Sequence, residues 1–231
     1  TVFREDLDLD PFMWDLGARL ETLKRSHAEA RLEDADGPIN SRVQELVDLV
    51  MVGKYRHADD QDWIDSEGRT VKLSQASSGQ QEALPMLLLL SSPETRRNGT
   101  SIVIEEPEAH LFPDSQRHII RLLALLHRRH AMQFMVTTHS PYILTALNNL
   151  IIAEEVSEML GEDSIRDLVG GGDFLLSYDD VRAYTIQDGR LVSILDEESR
   201  LIGVNVIDGV SEVLSEEFDE LLRLKYSVVD A

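Results

Sequence analysis

The sequence predicts an α/β fold: a parallel sheet flanked by helices, with an N-terminal helical hairpin before it and a C-terminal α+β extension after it. Three observations carry this expectation. The apolar run "SIVI" (101–104) and the apolar stretch "MQFMVTTHS" (132–140) are separated by "PDSQRHIIRLLALLHRRH" (113–130), whose apolar residues recur at helical spacing. Strand, helix, strand over this length makes a parallel crossover. Upstream, Phe12, Leu16, Leu20 and Leu23 fall on one helical face. Downstream, Asp188-Gly189 sits between two alternating runs and marks a tight β-hairpin.

Taken in order, residues 12–32 read as a helix, "DADGPIN" (34–40) as a loop from its Gly, Pro and Asp content, and 41–52 as a second amphipathic helix closed by Gly53. Residues 54–73 change character. A turn at Ser66-Glu67-Gly68 lies between runs containing Trp63-Ile64 and Val71-Leu73, which predicts a β-hairpin. "SSGQQEALPMLLLL" (77–90) starts with small residues and continues as an apolar helix, and "SIVI" reads as a buried strand. In 113–130, Pro113 suits the first helical turn, Ile119, Ile120, Leu123 and Leu126 face the core, and Arg128, Arg129 and His130 complement the C-terminal dipole. "SPYILTALNN" is a helix capped by Ser140 with Pro141 after it. A short strand, "LIIA" (150–153), a short helix and a Gly170-Gly171-Gly172 loop follow. The hairpin over 181–195 and an amphipathic helix over 209–225 end the chain. The organisation expected is an arm of helices and hairpin (1–70), a core (71–150) and an α/β extension (151–231).

Composition narrows the function classes. The chain has 231 residues, 42% hydrophobic and 28% charged, as an ordinary globular protein does. It has no cysteine, hence neither disulfides nor thiolate metal sites. No apolar run approaches the roughly 18 residues that cross a bilayer, and no secretory signal opens the sequence, so a cytoplasmic protein with no membrane contact is expected. Net charge is -21, with 43 acids against 22 bases, which speaks against a general nucleic-acid platform. Of those bases 18 are Arg and four are Lys.

Three motifs carry chemistry. In "SIVIEEPEAHLFP" (101–113) an apolar strand ends in Glu105 and Glu106, with Glu108 one proline later. Carboxylates at the C-terminal end of a parallel strand face the crevice where α/β folds bind ligands. A divalent cation held by one carboxylate and substrate phosphates would balance them, and the next acid could deprotonate a water. Alone, the stretch fits an acidic surface loop equally well. In "LSQASSGQQE" (73–82), Ser77, Ser78 and Gly79 open a helix, whose free N–H groups, hydroxyls and dipole can bind an anion, with Gly79 admitting a phosphate close to the backbone. A plain serine cap on a core helix is the alternative. In "VTTHSPY" (136–142), His139 follows a strand and precedes a Ser-Pro cap; it either donates to a phosphate or is structural.

The order of the three, with about two dozen residues between the first pair and three dozen between the second, resembles the second half of an ABC-type ATPase, a P-loop NTPase fold. "ASSGQQ" resembles the signature segment, "IVIEEPEAHL" the Walker B strand and the start of the D-loop, and His139 the switch histidine. The similarity is closest to the soluble ABC ATPases labelled AAA-family or OLD-like, over residues 71–147, and the tail resembles that of the Septu-type and retron-associated defence ATPases. The resemblance implies a homodimer or higher oligomer sandwiching ATP with Mg²⁺. Glu105 would hold Mg²⁺ through water and Glu106 would activate the attacking water. His139 would sense the γ-phosphate, and Ser77, Ser78, Gly79 and Gln80 would clamp it in trans. It further implies control of an effector nuclease or a retron partner in antiphage defence, with nucleic acid reached through that partner or through another lobe.

Departures from the pattern matter. Glu105 stands where most such proteins have Asp, and the signature lacks a double glycine. No G-x-x-x-x-G-K-[ST] occurs, and "LVGGGDF" (168–174) has glycines without the lysine. With Thr1 rather than Met at the start, the expectation is the C-terminal part of a longer ATPase whose P-loop lobe precedes it, inactive by itself. A RecF- or SMC-like DNA-repair ATPase needs a longer coiled coil or a basic face than this chain shows. An interaction module with a degenerate site predicts no nucleotide-dependent dimerisation. A zinc or nuclease site around His110, Glu106, Glu108 and His118 lacks H-E-x-x-H spacing.

Overall fold

The computed structural model describes residues 11–32, 37–96 and 99–203, and the chain divides into two units, Thr1–Thr137 and Thr138–Ala231. The helix expected over 209–225 lies outside the described residues.

The first unit begins with α1 (Pro11–Leu32) and α2 (Gly37–Val50). Residues 37–40, expected in a loop, instead form the first turn of α2, with 34–36 outside the described residues. The proline read there as a loop signal is equally at home in a first helical turn, where its missing N–H costs nothing. Val43, Leu46, Val47 and Val50 of α2 are all buried, one face at 3–4 residue spacing.

Three antiparallel strands follow, β1 (Lys54–Ala58), β2 (Gln61–Ser66) and β3 (Arg69–Lys72). The expected hairpin is β2–β3, turning at Glu67-Gly68; β1 is an additional strand. Its turn, Asp59-Asp60, has φ 53° and 54°, the left-handed pair that a two-residue hairpin needs and that Asp tolerates without a glycine. Tyr55, fully buried, and Ile64 face each other across β1 and β2, and α1 packs on β1 and on the next helix.

That helix is α3 (Ser78–Ser91), reached through a single 3-10 turn, Leu73–Gln75. Leu84, Leu87, Leu88 and Leu90 are buried, which keeps α3 helical through Pro85. Strand β4 (Ser101–Glu105), helix α4 (Pro113–His130) and strand β5 (Gln133–Thr137) make the parallel crossover, with Ser101 opposite Gln133 and Glu105 opposite Thr137. Ile119, Ile120, Leu123 and Leu126 of α4 are buried as expected, and α4 packs on α2 and β5. "SIVI" is not buried on both faces: Ile104 is 8% exposed, whereas Val103 and its cross-strand partner Met135 are each 61% exposed. Alternation along two paired strands puts these two on one face, and among the described residues nothing covers it.

In the second unit α5 spans Pro141–Leu160. The strand expected at "LIIA" is therefore wrong: residues 150–153 continue the helix. Four consecutive apolar residues cannot by themselves distinguish a strand from a buried helix; here Leu150, Ile151 and Ala153 are buried and Ile152 points outward. Helix α6 (Arg166–Val169) ends in the glycine loop, with Gly170 at φ 92°. The hairpin β6 (Tyr184–Gln187) and β7 (Arg190–Ser193) turns at Asp188-Gly189 as expected, φ 49° and 73°. Strands β8 (Leu195–Asp196) and β9 (Leu201–Ile202) close the described part. Among the described residues no helix is long and apolar enough to cross a membrane.

Candidate functional site

The acid pair sits at the C-terminal end of β4. Glu105 is its last residue, opposite Thr137, and its side chain is exposed. Among the described residues the Glu105 carboxylate has no ion pair or side-chain hydrogen bond. Glu106 leaves the strand with its N–H donating to Thr137 O at 2.9 Å, one rung past the sheet, and then turns at φ 45°. A left-handed conformation is unfavourable for any residue with a Cβ, and such strain gathers at functional sites. The turn is fixed by two further bonds: Ala109 N–H donates to Glu106 O at 2.9 Å and Leu111 N–H to Glu108 O at 3.0 Å. Pro107 is buried beneath it.

The serine-rich segment is the N-terminus of α3. Ser77 is the N-cap: its hydroxyl accepts from Gln80 N–H at 3.3 Å, and its N–H donates to Gln80 Oε1 at 3.1 Å, a reciprocal capping box. Gln80 Nε2 donates to Met51 O at 2.6 Å, just past α2. The Gln80 amide is thus engaged in holding α3 to the end of α2. Ser77 and Ser78 remain exposed.

Gly79 is buried, and its lack of a side chain has a specific reason. A Cβ built there would collide with His110 O and lie 2.9 Å from the Leu111 side chain. The close approach that glycine permits is therefore to the backbone after the acid turn, whereas the sequence suggested an approach to phosphate. His110 itself is at φ 57°, and its Nδ1–H donates to Glu82 Oε2 at 2.9 Å. The serine segment and the acid turn are in this way brought together through His110, weighed from the sequence only as a metal ligand, and Glu82, a pairing that sequence reasoning did not make. Both lie inside the quoted motifs, but no local pattern pairs residues 28 positions apart.

His139 belongs to the second unit. Ser140 N–H donates to Thr138 Oγ1 at 3.0 Å, and Ser140 Oγ accepts from Tyr142 N–H at 3.2 Å, capping α5. His139 is exposed between these two hydroxyl residues, two positions past the end of β5.

The donor set fits a phosphate-bound cation better than a protein-caged one. Among the described residues no group of three or more His, Asp and Glu could hold a metal. His110 is committed to Glu82, and His118 is buried on α4. An exposed, unpaired carboxylate at a strand end is a hard oxygen ligand that suits Mg²⁺ completed by phosphate and water. A second polar cluster lies elsewhere in the unit: Asp62 accepts from Tyr55 OH at 2.6 Å and His57 Nδ1 at 2.8 Å, with Lys24 Nζ at 2.9 Å. An open groove of about 450 Å³ beside it, lined by Asp60, Asp62, Lys72, Ser74 and Gln81, takes in none of the predicted site residues.

Comparison with solved structures finds an SMC head domain from Thermotoga maritima, 26% identical, with TM-score 0.35, covering 50% of this chain and 43% of that one. It also finds a structure from work on ATP-driven dimerisation and DNA-stimulated activation of SMC ATPases, 12% identical, with TM-score 0.45, covering 80% of this chain and 96% of that one. Neither superposition is close enough to bear on function. No curated protein matches the chain. The family model described as "AAA ATPase domain" matches residues 18–144, more than half of the sequence and the whole stretch from α2 through Ser77, Glu106 and His139. The chain belongs to the AAA ATPase domain family and has the α/β, P-loop NTPase-type fold that its sequence predicts.

Proposed function

We propose that this chain is the part of an ABC-type ATPase that carries the hydrolytic acid and the trans-acting clamp, in a protein that dimerises around ATP. The observation that carries the reading is the pair of acids at the end of parallel β4, one unpaired among the described residues and the next in a strained, well-braced turn. When bound, Mg²⁺ would supply charge neutralisation for the β- and γ-phosphates. Glu105 would orient that ion's water shell. Glu106 would accept a proton from the attacking water at its carboxylate. Ser78, exposed at the start of α3, would offer its hydroxyl and N–H to the partner protomer's γ-phosphate, and Ser77, whose N–H and hydroxyl are engaged with Gln80, would serve the clamp by capping that helix start. Gly79 and Gln80 would serve the same clamp by holding the α3 N-terminus in place. His139 would donate a hydrogen bond to the γ-phosphate. The sequence contains no P-loop motif, so other residues must cradle the β-phosphate.

In this reading residues 71–150 are the ATPase core, residues 1–70 its arm and residues 151–231 an extension. The tail's resemblance to Septu-type and retron-associated ATPases supports an effector nuclease or retron partner controlled by the ATP cycle, in cytoplasmic antiphage defence.

The test is Glu106→Gln in the intact protein. It should retain ATP, accumulate as an ATP-bound dimer on size exclusion, and lose at least about 100-fold in turnover, in the range for a lost general base. Unchanged turnover removes Glu106 as the base. Absence of ATP binding in the intact wild type removes the reading altogether.

A further inference from the structure

We propose that His110 is a positioning residue that locks the Glu106 turn to the first turns of α3, so that the geometry of the hydrolytic acid follows the position of the clamp segment on the same chain. This rests on the reading of Glu106 as the acid, but the mechanical part stands by itself.

Five contacts carry it. His110 touches α3 at two points three residues apart, hence on one helical face: its carbonyl against Gly79 and its imidazole on Glu82. Its backbone at φ 57° aims the carbonyl at Gly79 while the imidazole reaches Glu82. On the other side, Ala109 and Leu111, the residues flanking His110, donate the two N–H bonds that close the turn onto Glu106 O and Glu108 O. Leu111 O in turn accepts from Gln116 Nε2 at 2.9 Å, which ties the segment to the first turns of α4. The segment from Glu106 to Leu111 is therefore held by β5 at its Glu106 end and by α3 and α4 at its His110-Leu111 end, and that second end cannot shift against α3 without opening the His110 contact.

The energetics separate positioning from stability. The His110 and Glu82 side chains are 60% and 52% exposed, and so exposed a side-chain contact contributes little to folding. Any substantial effect of removing it on the reaction is then an effect on where Glu106 sits, because an acid displaced by even 1 Å loses its alignment with the attacking water.

Two measurements on the full-length protein decide the matter. In the first, steady-state ATP turnover is measured for His110→Ala, Glu82→Ala, the double variant and Glu82→Gln. Each alanine variant should lower kcat about tenfold with KM for ATP unchanged. The double variant should be no worse than the singles, since both remove one contact. Glu82→Gln, which keeps a hydrogen-bond acceptor, should recover most of the loss. Additive losses, or a change confined to KM, overturn the proposal. In the second, amide hydrogen exchange at Ala109 and Leu111 is followed without nucleotide. His110→Ala and Glu82→Ala should each speed it about tenfold while the unfolding midpoint stays put. Unchanged exchange at both amides overturns the lock whether or not the protein hydrolyses ATP. Slow wild-type turnover with accelerated exchange in the variants would instead fault only the reading of Glu106. Gly79→Ala drives a methyl into the His110 carbonyl and risks the fold, so the conclusion rests on His110 and Glu82.

Discussion

Asn148 brackets the backbone of Ile202. Its Nδ2 donates to Ile202 O at 2.8 Å and its Oδ1 accepts from Ile202 N–H at 2.8 Å, with Asn148 only 7% exposed. A helix side chain here does what a neighbouring strand would do for β9, satisfying both groups of one residue. Replacing it with Ala leaves a donor and an acceptor buried without partners, at about 1–3 kcal/mol for each. Asn148→Ala should lower the unfolding free energy by about 2–6 kcal/mol. Asn148→Asp should be no better, because it removes the donor and introduces a charge into a buried position. The check is urea unfolding followed by near-UV circular dichroism. A loss under about 0.5 kcal/mol would mean that water replaces the amide.

Asp62 gives the fold a pH signature. Burial alone would raise its pKa, but hydrogen bonds from Tyr55, His57 and Lys24 outweigh burial and hold the carboxyl below its ordinary value. Burial would lower Lys24, and its bonds to Glu21 and Asp62 outweigh that and raise it. Burial first, then the bond to Asp62, pushes the Tyr55 phenol up. A depressed carboxylate contributes stability that is complete above about pH 4 and lost as pH falls through its folded value. A raised lysine or phenol contributes stability complete below about pH 10 and lost as pH rises. The stability difference between wild type and Asp62→Asn should therefore be flat from about pH 5 to 9 and shrink on both sides. Urea midpoints at pH 3, 7 and 10 measure it. A difference that grows on acidification would show that Asp62 is not the stabilised anion.

Much of the fold was legible where one residue type meets a geometric demand alone. Asp188-Gly189 announces its hairpin because glycine readily supplies positive φ. Asp59-Asp60 makes the same turn without a glycine, so β1 went unread. "LIIA" misled because an apolar run states that it is buried and says nothing about period; α5 runs straight through it, burying Leu150, Ile151 and Ala153. The candidate site divides in the same way. The acids, the serine cap and the strand-end histidine are local patterns and could be read. The grip of His110 on Gly79 and Glu82 is a backbone contact plus a long-range pair, and it changes the reason for Gly79 from ligand approach to packing.

The strain at Glu106 can be measured directly. At φ 45° a residue with a Cβ is disfavoured by about 1–2 kcal/mol relative to a residue without one. The N–H bond to Thr137 O and the Ala109 bond hold the backbone where it is. Glu106→Ala keeps the strain and removes the carboxylate. Glu106→Gly removes both, at the cost of greater freedom in the unfolded chain. Glycine should therefore be more stable than alanine at this position, by up to about 1 kcal/mol, the reverse of the order in an ordinary helix or strand. Both variants should fail to hydrolyse ATP in the intact protein. Thermal unfolding of the two, side by side, checks the order. An alanine variant more stable than the glycine variant would show that the turn is relaxed, and the case for a backbone braced to aim an acid would go with it.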